Sequence, residues 1–246
     1  MQLHQFRHSA FCEKVRLVLA AKGLSYDVVE VMPGVGQLEL FRLSGQRQVP
    51  VLVDGGEVVA DSTAIALHLE RLHPEPALLP QDPAQRARVL LLEDWADTAL
   101  ACRCRQALLQ AATADSVLRA ALLPEATPAL LRQLVGSLPG GLMAGLGDAM
   151  EGLLGSRDQD LLQAQLEQLT VLVTAGPYLV GDQLSLADLA VAAQLSLLRF
   201  PAGSGAPLAG RGVSGIADNP LLEPLFSWRD HLVARLAPPA EAPAAG

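Results

Sequence analysis

The chain has few of the residues that mark a disulfide-rich or a nucleic-acid-binding protein. Only three of its 246 residues are cysteine, and 4% are aromatic. Three cysteines form an odd and sparse set, which favours reduced thiols in a cytosol over a disulfide framework. The net charge is −8 and no run of Lys or Arg occurs. Because nucleic acids require phosphate neutralisation and usually ring stacking, we expect no nucleic-acid partner.

The sequence also lacks a long apolar run and any metal-binding motif. Its longest uncharged apolar stretch, residues 133–147, is broken by Pro139 and several glycines, and it is shorter than the roughly 18 residues of a membrane-spanning helix. Charged residues occur early with no apolar block before them, so no secretory signal is expected. No CxxC or HExxH spacing is present, so no metal is expected. We therefore expect a cytoplasmic protein that binds neither membrane nor metal.

Strand and helix patterns alternate over the first quarter of the chain. Residues 2–6 and 26–31 predict two strands, joined by a helix that ends at Gly23. A weak helix follows, and then a DGG turn at 54–56 joins two short apolar strands ahead of another helix. The order β-α-β-α-β-β-α predicts a thioredoxin-like domain over residues 1–73, with a mixed sheet and helices on both faces.

The remainder of the chain is predicted to be helical. Four prolines in HPEPALLPQDP indicate a linker over 74–83. An all-helical domain follows over 84–236, and its first long helix opens at Pro83. Within it, Ser185 and Asp188 match a capping box, which we interpret as structural, with a loss of about 0.5–2 kcal/mol if the cap is removed.

Two segments of the second half are unusual in composition. Residues 122–155 form an apolar, Gly-rich insert. Residues 237–246 (APPAEAPAAG) show no helical or strand periodicity. The second segment is predicted to be a disordered tail. For the insert, three interpretations stay open: a lid over a substrate pocket, a surface for a partner, or a loose amphipathic helix.

Two short motifs in the first domain are candidates for binding a small peptide. Val49-Pro50 is either a plain strand start or a cis bond that turns the backbone of Val49 outward to pair with an extended peptide. Asp61-Ser62 opens a helix, where it either caps the helix or holds a ligand carboxylate and ammonium group. Together, the two motifs would bind a small peptide with a carboxylate and an amine at one end.

A serine and a cysteine stand three residues apart at the first strand–helix turn. Ser9 is placed to cap the first helix, and a hydroxyl at a helix N-terminus is also placed to stabilise a nearby anion. Cys12 lies one turn further into the helix. It is either a packed thiol or, less expected, a redox-active one.

The ordered combination of these motifs resembles a soluble glutathione transferase over roughly residues 1–235. The motifs are SxxC at the first turn, GQRQVPVL, DSTAIALHLE, the Pro-rich linker, and GDQLSLADLAVA in the helical remainder. The resemblance implies a thioredoxin-like domain that binds glutathione as co-substrate and a helical domain that supplies the pocket for an apolar electrophile. It also implies a homodimer.

By the same resemblance, individual residues receive roles. Ser9 is implied to donate a hydrogen bond to the glutathione thiolate and so to lower the pKa of that thiol. The residues implied to bind the rest of glutathione are Gln48, Val49, Pro50, Asp61 and Ser62. The implied function is conjugation of the glutathione thiolate to a small apolar electrophile. Two alternatives stay open: a glutathione-dependent thiol reductase or lyase that uses Cys12, and a non-catalytic binding or scaffold protein of the same fold.

Overall fold

The computed structural model describes residues 1–32, 35–123 and 159–236, together with 127, 129, 130, 133 and 135. The first domain contains four strands and three helices in the predicted order: β1 (Gln2–Gln5), α1 (Ala10–Ala21), β2 (Asp27–Glu30), α2 (Val35–Ser44), β3 (Val51–Asp54), β4 (Glu57–Ala60) and α3 (Ser62–Leu72). The sheet order is β2-β1-β3-β4, with β1 and β2 parallel and the other pairs antiparallel. The predicted thioredoxin-like order is therefore confirmed.

The pairing of β1 explains why the sheet forms around it. Leu3 of this strand is paired with Val28 on one side and Leu52 on the other, and both Leu3 and Leu52 are fully buried. The hairpin between β3 and β4 turns through Gly55 and Gly56, whose φ angles are 56° and 96°. Glycine adopts this left-handed region without the steric cost that a side chain would add.

The second domain is helical in the part of the chain that the structure describes. Its helices are α4 (Pro83–Trp95), α5 (Ala101–Ala114), α6 (Ser116–Ala121), α7 (residues 159–175), α8 (Leu186–Leu198) and α9 (Glu223–Leu236). A π-helical turn, Ala96–Leu100, joins α4 to α5, so the long helix predicted from Pro83 continues with one irregular turn. Most of the insert 122–155 and the whole tail 237–246 lie outside the described residues.

Helix α8 is the central element of the core. All thirteen of its residues are buried, and it packs against α1 of the first domain and against α4 and α5 of its own. A helix that is apolar on every side is stable only when it is surrounded by other elements. Helix α8 contributes to two apolar clusters, one formed mainly by the helical domain and one that joins the helical domain to the first domain.

The predicted capping box begins α8. The Asp188 carboxylate accepts hydrogen bonds from the N–H and the hydroxyl of Ser185 at 2.8 and 2.6 Å, and from the N–H of Leu179 at 2.8 Å. Burial raises the pKa of this carboxyl group, while the bonds from Ser185 and Leu179 act in the opposite direction. The box thus satisfies backbone donors that would otherwise be buried without partners.

A buried lysine connects the two domains. Lys14 of α1 has no exposed surface; its Nζ binds Glu93 of α4, Asp97 of the π-helical turn at 2.5 Å and the Thr63 hydroxyl of α3 at 3.0 Å. The Ser62 hydroxyl donates to the same Asp97 carboxylate at 3.1 Å. Because Lys14 and Glu93 are removed from water and Asp97 is partly buried, the ammonium group and the carboxylates need one another to stay buried at low cost.

No helix among the described residues is long and apolar enough to cross a lipid bilayer. The same residues contain no group of three or more His, Cys, Asp or Glu side chains arranged to hold a metal ion.

We predict that Lys14→Met destabilises the protein by about 3–5 kcal/mol, because the Glu93 and Asp97 carboxylates would remain buried without their cation. Unfolding in urea measures this loss. The matched control is the triple variant that also carries Glu93→Gln and Asp97→Asn, which removes all three charges at similar volume and should recover most of the stability. A loss below about 1 kcal/mol in the single variant, the level of an exposed ion pair, would contradict the prediction.

Candidate active site

Ser9 stands at the point where β1 passes into α1. It is the N-cap of this twelve-residue helix, with extended backbone angles, and its side-chain oxygen accepts a bond from the N–H of Cys12 at 3.4 Å. The Ser9 side chain also forms a hydrogen bond with the Cys12 thiol, which acts against the rise that burial causes in the pKa of that thiol. A hydroxyl rotates to suit its partner, so capping and ligand binding are compatible when a ligand replaces Cys12 as the acceptor.

Ser9 lines a cavity of about 440 Å³ that both domains enclose. We call it the smaller cavity. Its wall in the first domain includes Phe6, His8, Ser9, Val31, Gln37, Arg47, Gln48 and Val49, and its wall in the helical domain includes Arg105, Leu108, Leu109, Gln194 and Leu197. The structure thus brings three predicted site residues, Ser9, Gln48 and Val49, to one cavity.

The Val49-Pro50 bond is cis, as the second interpretation of the sequence required. Pro50 is buried, whereas Val49 is half-buried and Gln48 is exposed. Among the described residues, none forms a hydrogen bond with the backbone N–H or C=O of Val49. A backbone edge of this kind can pair with an extended peptide.

Asp61 and Ser62 lie at the start of α3, but neither lines the smaller cavity. Asp61 is the N-cap: its carboxylate accepts from the N–H groups of Thr63 and Ala64 at 2.9 and 3.0 Å. Its φ of 82° lies in the left-handed region, which costs energy for a residue with a side chain and is often associated with functional sites. Ser62 is 2% exposed, and its hydroxyl is already donated to Asp97.

Cys12 is separated from the cavity that Ser9 lines. Its side chain has no exposed surface, and burial raises the pKa of its thiol, although the Ser9 side chain and the Phe6 backbone act in the opposite direction. Cys104 is also buried with a raised pKa, whereas Cys102 is exposed. Since the thiolate is the reactive form, burial disfavours a nucleophilic role for either of these cysteines.

A second cavity, of about 750 Å³, adjoins the first one where β1 passes into α1. We call it the larger cavity. Six residues line both cavities: Phe6, His8, Ser9, Ala10, Val31 and Leu197. In the wall of the larger cavity, charged and polar groups bind one another. Arg16 donates to Gln5 at 2.6 Å and to Glu13, and Gln5 donates to Glu30 at 3.2 Å.

Two polar residues of the smaller cavity, Arg105 and Gln194, were not predicted from the sequence. Arg105 lies on α5 in the ACRCR segment, with its guanidinium carbon 5.8 Å from the centre of the Phe11 ring. Gln194 is the one amide in the apolar run LAVAAQLSLL of α8. The sequence shows a single amide within an apolar helix, which is a signal that could have been used. It does not show that this residue lies beside the cavity.

Comparison with known proteins agrees with this architecture. Residues 3–77 match the model of the glutathione S-transferase N-terminal domain. Maleylacetoacetate isomerase of Rattus norvegicus is 29% identical over 199 residues, which cover 79% of this chain and 76% of the rat protein. Glutathione S-transferase 1 of Dianthus caryophyllus is 43% identical over 90 residues, but these cover 35% of this chain and 41% of the plant protein.

A solved structure extends the likeness to nearly the whole fold. A glutathione S-transferase from Rhodospirillum rubrum F11 superposes with a TM-score of 0.63 at 24% identity, covering 93% of this chain and 85% of that one. These similarities show that residues 3–77 match the N-terminal domain of glutathione S-transferases and that nearly the whole chain shares the fold of a solved glutathione S-transferase.

Proposed function

We propose that the protein is a glutathione transferase that joins the thiolate of glutathione to a small, largely apolar electrophile. The observation that carries this proposal is the position of Ser9: a hydroxyl at the N-terminus of α1 lines the same cavity as Gln48 and Val49, and the Val49 backbone has no hydrogen-bond partner among the described residues. A peptide held along Val49 would bring its central cysteine to this hydroxyl. The pairing mode is that of an added strand.

The two ends of glutathione would be held by different kinds of group. The Gln48 side chain is exposed beside Val49 and would take the glycyl carboxylate. At the other end, the Asp61 carboxylate would attract the γ-glutamyl ammonium group. Because the Ser62 hydroxyl is committed to Asp97, we assign its contribution to the backbone N–H at the start of α3, where the helix dipole favours a carboxylate.

The chemical step follows from stabilising sulfur as an anion. The thiol releases its proton to solvent, the Ser9 hydroxyl donates to the thiolate, and the N-terminus of α1 supplies a positive potential. The sulfur then forms a bond to the electrophilic carbon while the leaving group departs with its electron pair. Leu108, Leu109 and Leu197 provide an apolar wall for the electrophile, so that holding both reactants together contributes much of the rate.

We predict that the pKa of the bound glutathione thiol rises when Ser9 is replaced. Ser9→Ala removes the donor, and the loss of one charge-assisted hydrogen bond corresponds to a rise of roughly one to two pKa units. The ultraviolet absorbance of the thiolate, followed across pH on glutathione-saturated protein, measures the shift. Calorimetric titration of glutathione into wild type and variant measures binding separately.

Ser9→Gly is the matched control for the capping role of this residue. Gly and Ala both lack the hydroxyl, but Gly is the better N-cap, so the two variants should differ in stability and agree in thiol pKa. An unchanged pKa and an unchanged rate in both would remove Ser9 from the mechanism. Failure of the wild type to bind glutathione would overturn the proposed function itself.

The buried position of Cys12 generates a prediction against the reductase or lyase alternative. In the native protein, iodoacetamide should label Cys102 quickly and Cys12 and Cys104 slowly, because the thiolate fraction falls as burial raises the pKa. Mass spectrometry of the labelled peptides measures the three rates, and labelling in denaturant is the control. Turnover of a glutathione mixed disulfide that disappears in Cys12→Ser would instead establish the alternative.

We also propose that the chain forms a homodimer in which the first domain of one protomer contacts the helical domain of the other. Several large apolar side chains of α2 are exposed in the single chain, including Leu38 and Phe41 at 51% and 46%, and clustered apolar surface commonly marks an interface. Light scattering should give a mass of twice the 25.9 kDa chain. A monomer mass at micromolar concentration would contradict this.

A further inference from the structure

Gln194 is a buried polar side chain whose hydrogen-bonding groups are unused within the described part of the chain. Its exposed fraction is 0%, and neither Nε2 nor Oε1 has a partner among the described residues. An amide removed from water without a partner costs more than the same amide bonded or exposed. Such a group in a folded protein therefore requires an explanation.

The position of Gln194 beside the smaller cavity offers an explanation for its unpaired amide. On α8, Gln194 and Leu197 both line the smaller cavity, and residues three apart share one face of a helix. Ser196, between them in sequence, lines the larger cavity instead, and its hydroxyl is bonded to the carbonyl of Ala192 at 3.1 Å. Gln194 thus lies on the helix face that borders the smaller cavity, with both amide atoms buried behind the cavity surface.

The polar side chains that line the two cavities differ in how far they bind one another. In the larger cavity, Arg16, Gln5 and Glu30 satisfy one another. In the smaller cavity, the helical-domain wall is apolar apart from Gln194 and Arg105. Both of these side chains carry N–H donors, whereas only Gln194 also carries an acceptor, its Oε1. The ligand group that complements both side chains is therefore a hydrogen-bond acceptor on an otherwise apolar molecule.

We propose that Gln194 determines the specificity of the second-substrate site by donating a hydrogen bond to a carbonyl oxygen of that substrate. This inference rests on the proposed function and adds the substrate class: an electrophile with an apolar body and a carbonyl group. A carbonyl substrate satisfies the Nε2 donor, whereas a hydrocarbon analogue leaves it unpaired. A site built around a polar group discriminates strongly against an analogue that lacks the matching atom.

The experiment compares two unreactive probes that differ in one group, acetophenone (C=O) and ethylbenzene (CH₂). Their dissociation constants are measured by NMR titration for the wild type and for Gln194→Met, which keeps the length of the side chain and removes both polar atoms. We expect the variant to bind acetophenone about tenfold more weakly, the value of one ordinary hydrogen bond, and ethylbenzene equally well or better. Ser196→Ala, on the same helix but facing the other cavity, should change neither constant.

The design separates this inference from the proposed function, because the probes are titrated both with and without glutathione. Equal effects of Gln194→Met on the two probes would overturn the role of Gln194, as would no effect on either, even if glutathione binds and its thiol pKa responds to Ser9. Retained discrimination between the probes in a protein that binds no glutathione would support the carbonyl site and overturn the transferase. A folding defect in the variant, detected by urea unfolding, is bypassed with Gln194→Leu.

Discussion

The buried contact of Lys14 with Glu93 and Asp97 is the constraint on which the site depends. This lysine lies on α1, the helix that Ser9 caps, and it also binds Thr63 at the start of α3. One ammonium group therefore fixes the helix that would stabilise the thiolate, the helix that would bind the γ-glutamyl end, and the first helix of the second domain. Removing one member of such a cluster leaves uncompensated charge in the interior, so the three helices are held in one arrangement.

The second constraint is the complete burial of α8, which makes the domains inseparable at the site. Its apolar surface packs on α1 from one side and on α4 and α5 from the others, and the Ser185–Asp188 box closes its buried N-terminus. Because α1 and α8 are in direct contact, the two walls of the smaller cavity cannot slide independently. Packed interiors resist small displacements, and a transfer reaction depends on the relative position of its two reactants.

Local sequence signals predicted the elements of the first domain well, and tertiary contacts account for what they missed. Alternation and turn chemistry were sufficient for the β-α-β-α-β-β-α order, the DGG hairpin and the cap at Ser9, because each depends on neighbours within a few residues. The engagement of Ser62 with Asp97 joins residues 35 positions apart, and no local pattern contains it. The same holds for Gln194, whose importance arises from the cavity beside it rather than from the apolar run around it.

The two walls of the smaller cavity are proposed to bind different ligands, and the chemistry of each ligand explains the groups that each wall presents. In the proposed reaction, glutathione is the same molecule in every turnover, so backbone groups at Val49 and at the helix N-termini would be adequate receptors, and they would tolerate substitution of neighbouring side chains. The second substrate of that reaction would have to be distinguished from many similar apolar molecules, and apolar contacts distinguish them weakly: one methylene corresponds to about 1–3 kcal/mol. A hydrogen-bond donor in an apolar wall increases the discrimination. A ligand without an acceptor leaves the donor unpaired and so binds at a free-energy cost that a ligand with an acceptor avoids. Discrimination is therefore expected from α5 and α8, and within the described residues of those helices Gln194 is the buried side chain with both polar atoms unpaired.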